Sequence, residues 1–206
     1  MLRARKILDS IVADGINALM VFKPENIFYL TGFWGESVAI CSRDDTKLIV
    51  PKLESTRAYN ESRNSEIITT ERGPGLIKSI TPYLSKFRFY SDCSDYETIR
   101  SILPYTDNSN FVLDDSPFRS SRSMKDEYEI EKIKEASKII DKLYAICNQE
   151  IKAGVTEKQL QSELLYQAMK LDATSVCYPY TLNPFIIASG TNSALPHCET
   201  SNRQFV

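Results

Sequence analysis

The chain carries a single histidine, His197, among its 206 residues. It closes the stretch Pro184-Phe-Ile-Ile-Ala-Ser-Gly-Thr-Asn-Ser-Ala-Leu-Pro-His197. Imidazole is the one side chain whose ordinary pKa lies near neutrality, so a lone histidine is the first candidate for handling a proton or meeting a substrate. The apolar run Phe185 to Ala188 reads as a strand, Ser189-Gly190 breaks it, and Thr191-Asn192-Ser193 turns the chain so that Pro196 and His197 reach a rim. Ser189, Ser193 and Cys198 are formal nucleophiles nearby. Such a nucleophile needs a base that a third group orients, and no second histidine exists, so serine or cysteine peptidase chemistry is set aside. The plain alternative for His197 is a hydrogen-bonded loop residue. Trp34, the only tryptophan, lies between Gly32 and Gly35, where a turn would expose it to a ligand. Its neighbours Tyr29 and Phe33 read as aromatic packing, and the glycines as turn formers. Arg122 and Lys125 read as anion binders or as solvated contacts.

Those residues need elements to hold them. Leu2, Ile7, Leu8, Ile11 and Val12 predict a helix over 2–14, with Gly15 as its C-cap. Strands are expected at 18–22, 37–41, 47–50, 66–69, 87–90 and 111–113, with a turn at Lys23-Pro-Glu-Asn26. Helices are expected at 52–62, 75–86 and 94–103; in the second of these Leu76, Ile80 and Leu84 share one face. The alternation gives an α/β (α+β) domain of about 115 residues, a usual size for an independent core. Asp114-Asp-Ser-Pro-Phe-Arg-Ser-Ser-Arg-Ser123 changes the texture and reads as a linker or hinge. A long helix near 125–152 follows, with Ile130, Ile133, Ala136, Ile140, Leu143, Cys147 and Ile151 on one stripe. Thr156 and Gln159 form a capping box for a helix over 156–172, with Leu160, Leu164, Ala168 and Leu171 on its buried face. Pro179, Asn183 and Pro184 end regular structure before the last apolar run.

Bulk properties narrow the function classes. A net charge of −2 and a pI of about 5.6 steer the chain toward neither nucleic acid nor an anionic membrane. No apolar run approaches the ~18 residues that cross a bilayer. The basic N-terminus is interrupted by Asp9 and Asp14, so a signal peptide is not read and a cytoplasmic location is expected. The cysteines at 41, 93, 147, 177 and 198 are odd in number and never spaced Cys-x-x-Cys. They read as packed, reduced thiols rather than a disulfide framework or zinc site.

Three patterns occur in order. They are Asn26-Ile-Phe-Tyr-Leu-Thr-Gly-Phe33; Arg122-x-x-Lys125-x-x-x-Glu129-Ile130-x-x-Ile133-x-x-Ala136 followed by Gly154-Val-Thr-Glu157; and Ile187-Ala-Ser-Gly-Thr-Asn-Ser-Ala-Leu-Pro-His197. Together they resemble the prolidase, aminopeptidase P and creatinase family over essentially the whole chain. The resemblance implies a creatinase-type N-terminal domain with a mixed sheet (1–114), a linker (115–124) and the first, incomplete part of a pita-bread catalytic domain (125–206). It implies hydrolysis of the bond before proline in Xaa-Pro peptides, with two divalent ions, manganese or cobalt, holding a bridging hydroxide. The family's substrate-contacting histidine falls on His197, which on that pattern touches substrate near the scissile carbonyl and is not a metal ligand. Family members are commonly dimers in which this N-terminal domain reaches toward the partner's active site. That makes a homodimer the expected partner and Trp34 a candidate substrate-binding residue.

The departure from the family lies in the ligands. Two aspartates, a histidine and two glutamates are expected downstream of His197. Here only Glu199 follows, with no further histidine. The expectation is a chain that stops before its first metal ligand, binds no metal by itself and is inactive alone, with Arg203-Gln-Phe-Val206 as the start of a strand and residues 125–206 mobile or shielded by another chain. A metal-free, peptidase-like module that binds peptides or proteins is the alternative. A creatinase-like cleavage of a non-peptide C–N bond ranks below both, since Ser193-Ala-Leu-Pro-His197 fits the proline peptidases.

Overall fold

The computed structural model describes residues 2–11, 15–107, 110–173 and 185–206. Val12, Asp14, Cys177, Pro179, Asn183 and Pro184 lie outside the described residues. The chain divides into two compact units, residues 1–124 and 125–206.

The first unit is a mixed α/β layer structure around one six-stranded sheet. Its strands are β1 (Ala18–Val21), β2 (Val38–Ser42), β3 (Thr46–Pro51), β4 (Glu66–Thr70), β5 (Phe89–Ser91) and β6 (Phe111–Leu113), in the order β4-β3-β2-β1-β5-β6. The pairs β1–β2 and β2–β3 are antiparallel, and β3–β4, β1–β5 and β5–β6 are parallel. Side chains alternate across the sheet, as a period of two demands. Leu19, Val21, Ala39, Cys41, Leu48, Val50 and Tyr90 face one core, into which α1 (Leu2–Ser10), α2 (Pro24–Thr31), α3 (Ser55–Glu61) and α6 (Ser116–Ser123) pack. Met20, Val38, Ile40, Ile49 and Phe89 face the other, under α4 (Pro74–Leu84) and α5 (Tyr96–Ile102). Leu76, Ile80 and Leu84 of α4 are buried together, as their spacing requires. Burial keeps the Cys41 thiol inert: it is fully enclosed, which pushes its pKa up to about 12.

Two elements differ from the expectation. Lys23-Pro-Glu-Asn26 does not simply turn the chain but opens α2. Pro24 takes the first helical turn, where a missing N–H costs nothing. Gly32 ends the helix at φ 80°, with its N–H donating to Phe28 O, a geometry that disfavours any residue with a Cβ. Within residues 115–124, whose composition suggests a linker, Ser116–Ser123 form α6 of the first unit. Composition misleads because one residue decides: Phe118 is fully buried in the core beneath the sheet. Tyr29 adds a polar tie, its hydroxyl lying 3.0 Å from Ser121 Oγ.

A buried carboxylate joins the carboxyl ends of the parallel strands. Asp92, just after β5, accepts from the backbone N–H groups of Phe22 (2.7 Å) and Lys23 (3.1 Å), which follow β1. Asn26 Nδ2 donates both to Asp92 (2.7 Å) and to Asp115 (3.1 Å), which follows β6, and Lys23 Nζ pairs with Asp115 at 2.8 Å. Burial raises the Asp92 pKa to about 6; the donors from Phe22, Asn26 and Lys23 oppose the shift, and the charge on Asp115 adds to it.

In the second unit, α7 (Glu127–Glu150) begins at a capping box formed by Asp126 and Glu129. The second helix, α8 (Glu157–Lys170), begins at the box formed by Thr156 and Gln159. Leu143 of α7 packs with Leu160, Leu164 and Ala168 of α8, joined by Ile139, Ile146, Phe185, Ile187 and Phe205. Much of the expected α7 stripe is therefore displaced: Ile130, Ile133 and Ile140 are exposed. Phe185 to Ala188 is not a strand. A strand needs a ladder partner, and here the Phe185 carbonyl instead accepts from the Gln161 side chain at 2.7 Å. Arg203 to Val206 forms no full strand, its β pairing being limited to the isolated bridge Thr156–Gln204.

Phe118→Ala is expected to destabilise the first unit by about 3–5 kcal/mol, the usual cost of emptying a buried phenylalanine site, whereas a linker residue would cost almost nothing. Chemical denaturation measures it. Asp92 holds its proton more tightly folded than unfolded. Its contribution is therefore neutral below the ordinary carboxyl range and turns against folding as pH rises from about 4 to about 6. Asp92→Asn should flatten that part of the stability–pH curve; an unchanged slope would refute the assignment.

Candidate functional site

The segment that carries His197 is built on the first turn of α8. Gly154, at φ 89°, lets the chain leave α7, and its N–H donates to Phe205 O while Phe205 N–H returns to Val155 O. The N–H groups of Glu157 and Lys158, unpaired within any helix because they lie in its first turn, donate to Arg203 O (3.0 Å) and Ser201 O (3.1 Å). The end of the chain is thereby laid along the start of α8.

The Glu157 side chain then points inward with no solvent exposure. One oxygen, Oε1, accepts from Ser189 N–H and Ser189 Oγ, both at 2.7 Å. The other, Oε2, accepts from Ser201 N–H (3.0 Å) and Ser201 Oγ (2.7 Å). Asn192 Nδ2 lies 3.3 Å from each oxygen. Burial pulls the carboxyl pKa upward, but the donors from Ser201 and Ser189 outweigh it and hold it down at about 2. A single ionised carboxylate thus pins both ends of the loop between Ser189 and Ser201.

His197 sits in a turn within that loop, exposed, and among the described residues its ring has no hydrogen-bond partner. The neighbouring candidate nucleophiles are committed elsewhere. Ser189 donates to Glu157, Ser193 Oγ donates to Gly190 O at 2.6 Å, and Cys198 Sγ donates to Glu199 O at 3.3 Å. None is placed to lose a proton to His197. Gly190 has φ 52° and lies against the Arg203 guanidinium, so a Cβ there would collide with it.

Trp34 belongs to the first unit and His197 to the second. The Trp34 ring is half-buried, edge-on to Phe28 with centroids 6.0 Å apart, and its carbonyl accepts from Arg57. Tyr29 and Phe33 are buried packing residues. Sequence reasoning missed Glu157, Asn192 and Ser201 as organisers of the His197 loop. The only cue was the Gly154-Val-Thr-Glu157 pattern, where the acid reads simply as a favourable charge in the first turn of a helix.

Comparison with known proteins places the chain in a class. Residues 3–143 match the Creatinase/Prolidase N-terminal domain and residues 131–206 match metallopeptidase family M24. The chain belongs to the creatinase/prolidase family. It is 25% identical over 216 residues to an Xaa-Pro dipeptidase of Pyrococcus furiosus and 28% identical over 205 residues to one of Pyrococcus horikoshii, covering 98% of this chain and 56% of the relative in each case. Among solved structures, the prolidase of Pyrococcus horikoshii OT3 superposes with a TM-score of 0.82 at 24% identity, covering 100% of this chain and 57% of that one. An Xaa-Pro dipeptidase from Bacillus anthracis gives 0.84 at 22%, with the same coverage. The chain therefore spans somewhat over half the length of these relatives.

A metallopeptidase family implies divalent ions, and the residues described here do not fit them. Among the described residues no group of three or more His, Cys, Asp and Glu side chains is arranged to hold a metal ion. Glu157 is no substitute: both its oxygens face N–H and O–H donors, which would turn their protons toward a cation.

Because its folded pKa is depressed, Glu157 contributes stability that is complete above the ordinary glutamate range and is lost as pH falls from about 4.5 toward about 2. The Glu157 carboxyl carbon resonance is expected to stay flat down to about pH 3; a midpoint above 4 would contradict the hydrogen-bond network.

Proposed function

We propose that this chain is part of an Xaa-Pro peptidase of the prolidase or aminopeptidase P type, hydrolysing the peptide bond before proline, with His197 contacting the substrate near the scissile carbonyl. The observation that carries the reading is the near-complete coverage of the chain by proteins described as Xaa-Pro dipeptidases. The exposed His197 ring, on a loop tied at both ends, is consistent with it. A neutral imidazole offers one N–H donor, and a donor aimed at a carbonyl oxygen stabilises the negative charge that develops there during attack.

Two divalent ions, manganese or cobalt, belong to this reading, and their chemistry is the generation of a hydroxide nucleophile at neutral pH. The reading requires their ligands to come from outside these 206 residues. In a homodimer, Trp34 would meet substrate bound by the partner.

The test has two parts. The 206-residue chain alone, with manganese or cobalt added, should not hydrolyse Xaa-Pro dipeptides; metal-dependent turnover by this chain would overturn the account of the ligands. The product of the whole gene should hydrolyse them, and His197→Ala should lower its kcat by about 10²-fold, the scale of losing one oxyanion donor. No activity on any Xaa-Pro peptide would remove the assignment.

A further inference from the structure

We propose that Glu157 is the positioning residue of the His197 loop, a buried ionised clamp that fixes where the imidazole stands. The clamp itself is independent of the function proposed above; only the use to which it is put rests on that reading.

The geometry is specific about the charge. Ser201 lies nine positions beyond Asn192, and Glu157 touches both. Inside the loop the backbone bonds are local: Asn192 N–H to Ser189 O, Leu195 N–H to Asn192 O and Cys198 N–H to Leu195 O. They shape the loop without anchoring it. The downstream end keeps a backbone tie to α8 through Lys158 N–H and Ser201 O. The upstream end, at Ser189 and Asn192, is held to α8 by the Glu157 carboxylate.

An amide cannot replace that carboxylate. Each oxygen receives a backbone N–H, from Ser189 on one side and Ser201 on the other, and a backbone N–H cannot rotate away. A glutamine places oxygen toward one of them and NH₂ toward the other, whichever way it is turned. One buried donor is then left facing a donor. Aspartate retains the charge but is one methylene shorter, so it reaches one serine at the expense of the other.

The experiment uses Glu157→Gln. In the 206-residue chain, amide exchange across residues 189–200 should accelerate by at least about tenfold, the scale of one lost hydrogen bond to a charged group. Amides in the middle of α8, at Leu160 to Ala168, should change by less than about twofold, because the opening is local. In the whole-gene product acting on an Xaa-Pro dipeptide, kcat should fall by about tenfold or more with KM changed by less than about threefold. His197→Ala should then cost much less in the Glu157→Gln background than alone, since both act through one imidazole. Loop exchange that is unchanged in the variant overturns the clamp. Losses that multiply independently overturn the action through His197. If the whole-gene product lacks Xaa-Pro activity altogether, the functional reading falls and the exchange result alone decides the clamp. Should Glu157→Gln fail to fold, Ser189→Ala carries the same exchange readout: it deletes one hydroxyl and leaves every backbone bond.

Discussion

A glutamate with no exposed surface is costly unless every lone pair it brings inside is met by a donor. Glu157 satisfies that condition with two backbone N–H groups, two serine hydroxyls and one asparagine amide. The donors come from both flanks of His197. The carboxylate can be buried only if the loop closes around it, and in its charged form it meets every donor that the loop turns inward. The fold of the second unit and the placement of its one imidazole are thus a single arrangement, and the first turn of α8 is its foundation.

The first unit uses the same device with a different outcome. Asp92 is also enclosed and also takes two backbone N–H groups, here from the residues that follow β1. It has fewer donors than Glu157, and the Asp115 charge stands beside it. Desolvation therefore wins at Asp92, whose pKa rises to about 6, and loses at Glu157, whose pKa falls to about 2. Counting donors against neighbouring charge separates the two cases. Asp92 serves to tie three parallel strand ends together, with Asn26 as the bridge to the third.

What could be read from the residues follows the range of the interactions. The start of α8 was legible because its capping box is written within four consecutive residues; α7 was read from its apolar spacing, and the box at Asp126 and Glu129 emerged only with the structure. The α4 face was legible from Leu76, Ile80 and Leu84 alone. The helix α2 was not, although Pro24 opens it and Gly32 caps it, because Pro-Glu-Asn is equally a turn and the helix is only eight residues long. In α6 a serine-rich surface hid the one side chain that anchors it. The Phe185 to Ala188 run has the composition of a strand but no ladder partner among the described residues. His197 stood out by being alone, and the residues that place it did not. Ser189 and Ser201 lie 32 and 44 positions from Glu157, a pairing that no local pattern encodes.

Cys41 shows what enclosure means for covalent chemistry. Burial pushes its pKa up to about 12, so the thiolate is scarce at pH 7, and the side chain lies wholly within the sheet's core. Alkylating or oxidising reagents therefore find no nucleophile there while the sheet is intact. The rate at which such a reagent labels that sulfur is an internal clock for the separation of β2 from its neighbours, with the reporting side chain already built into the molecule.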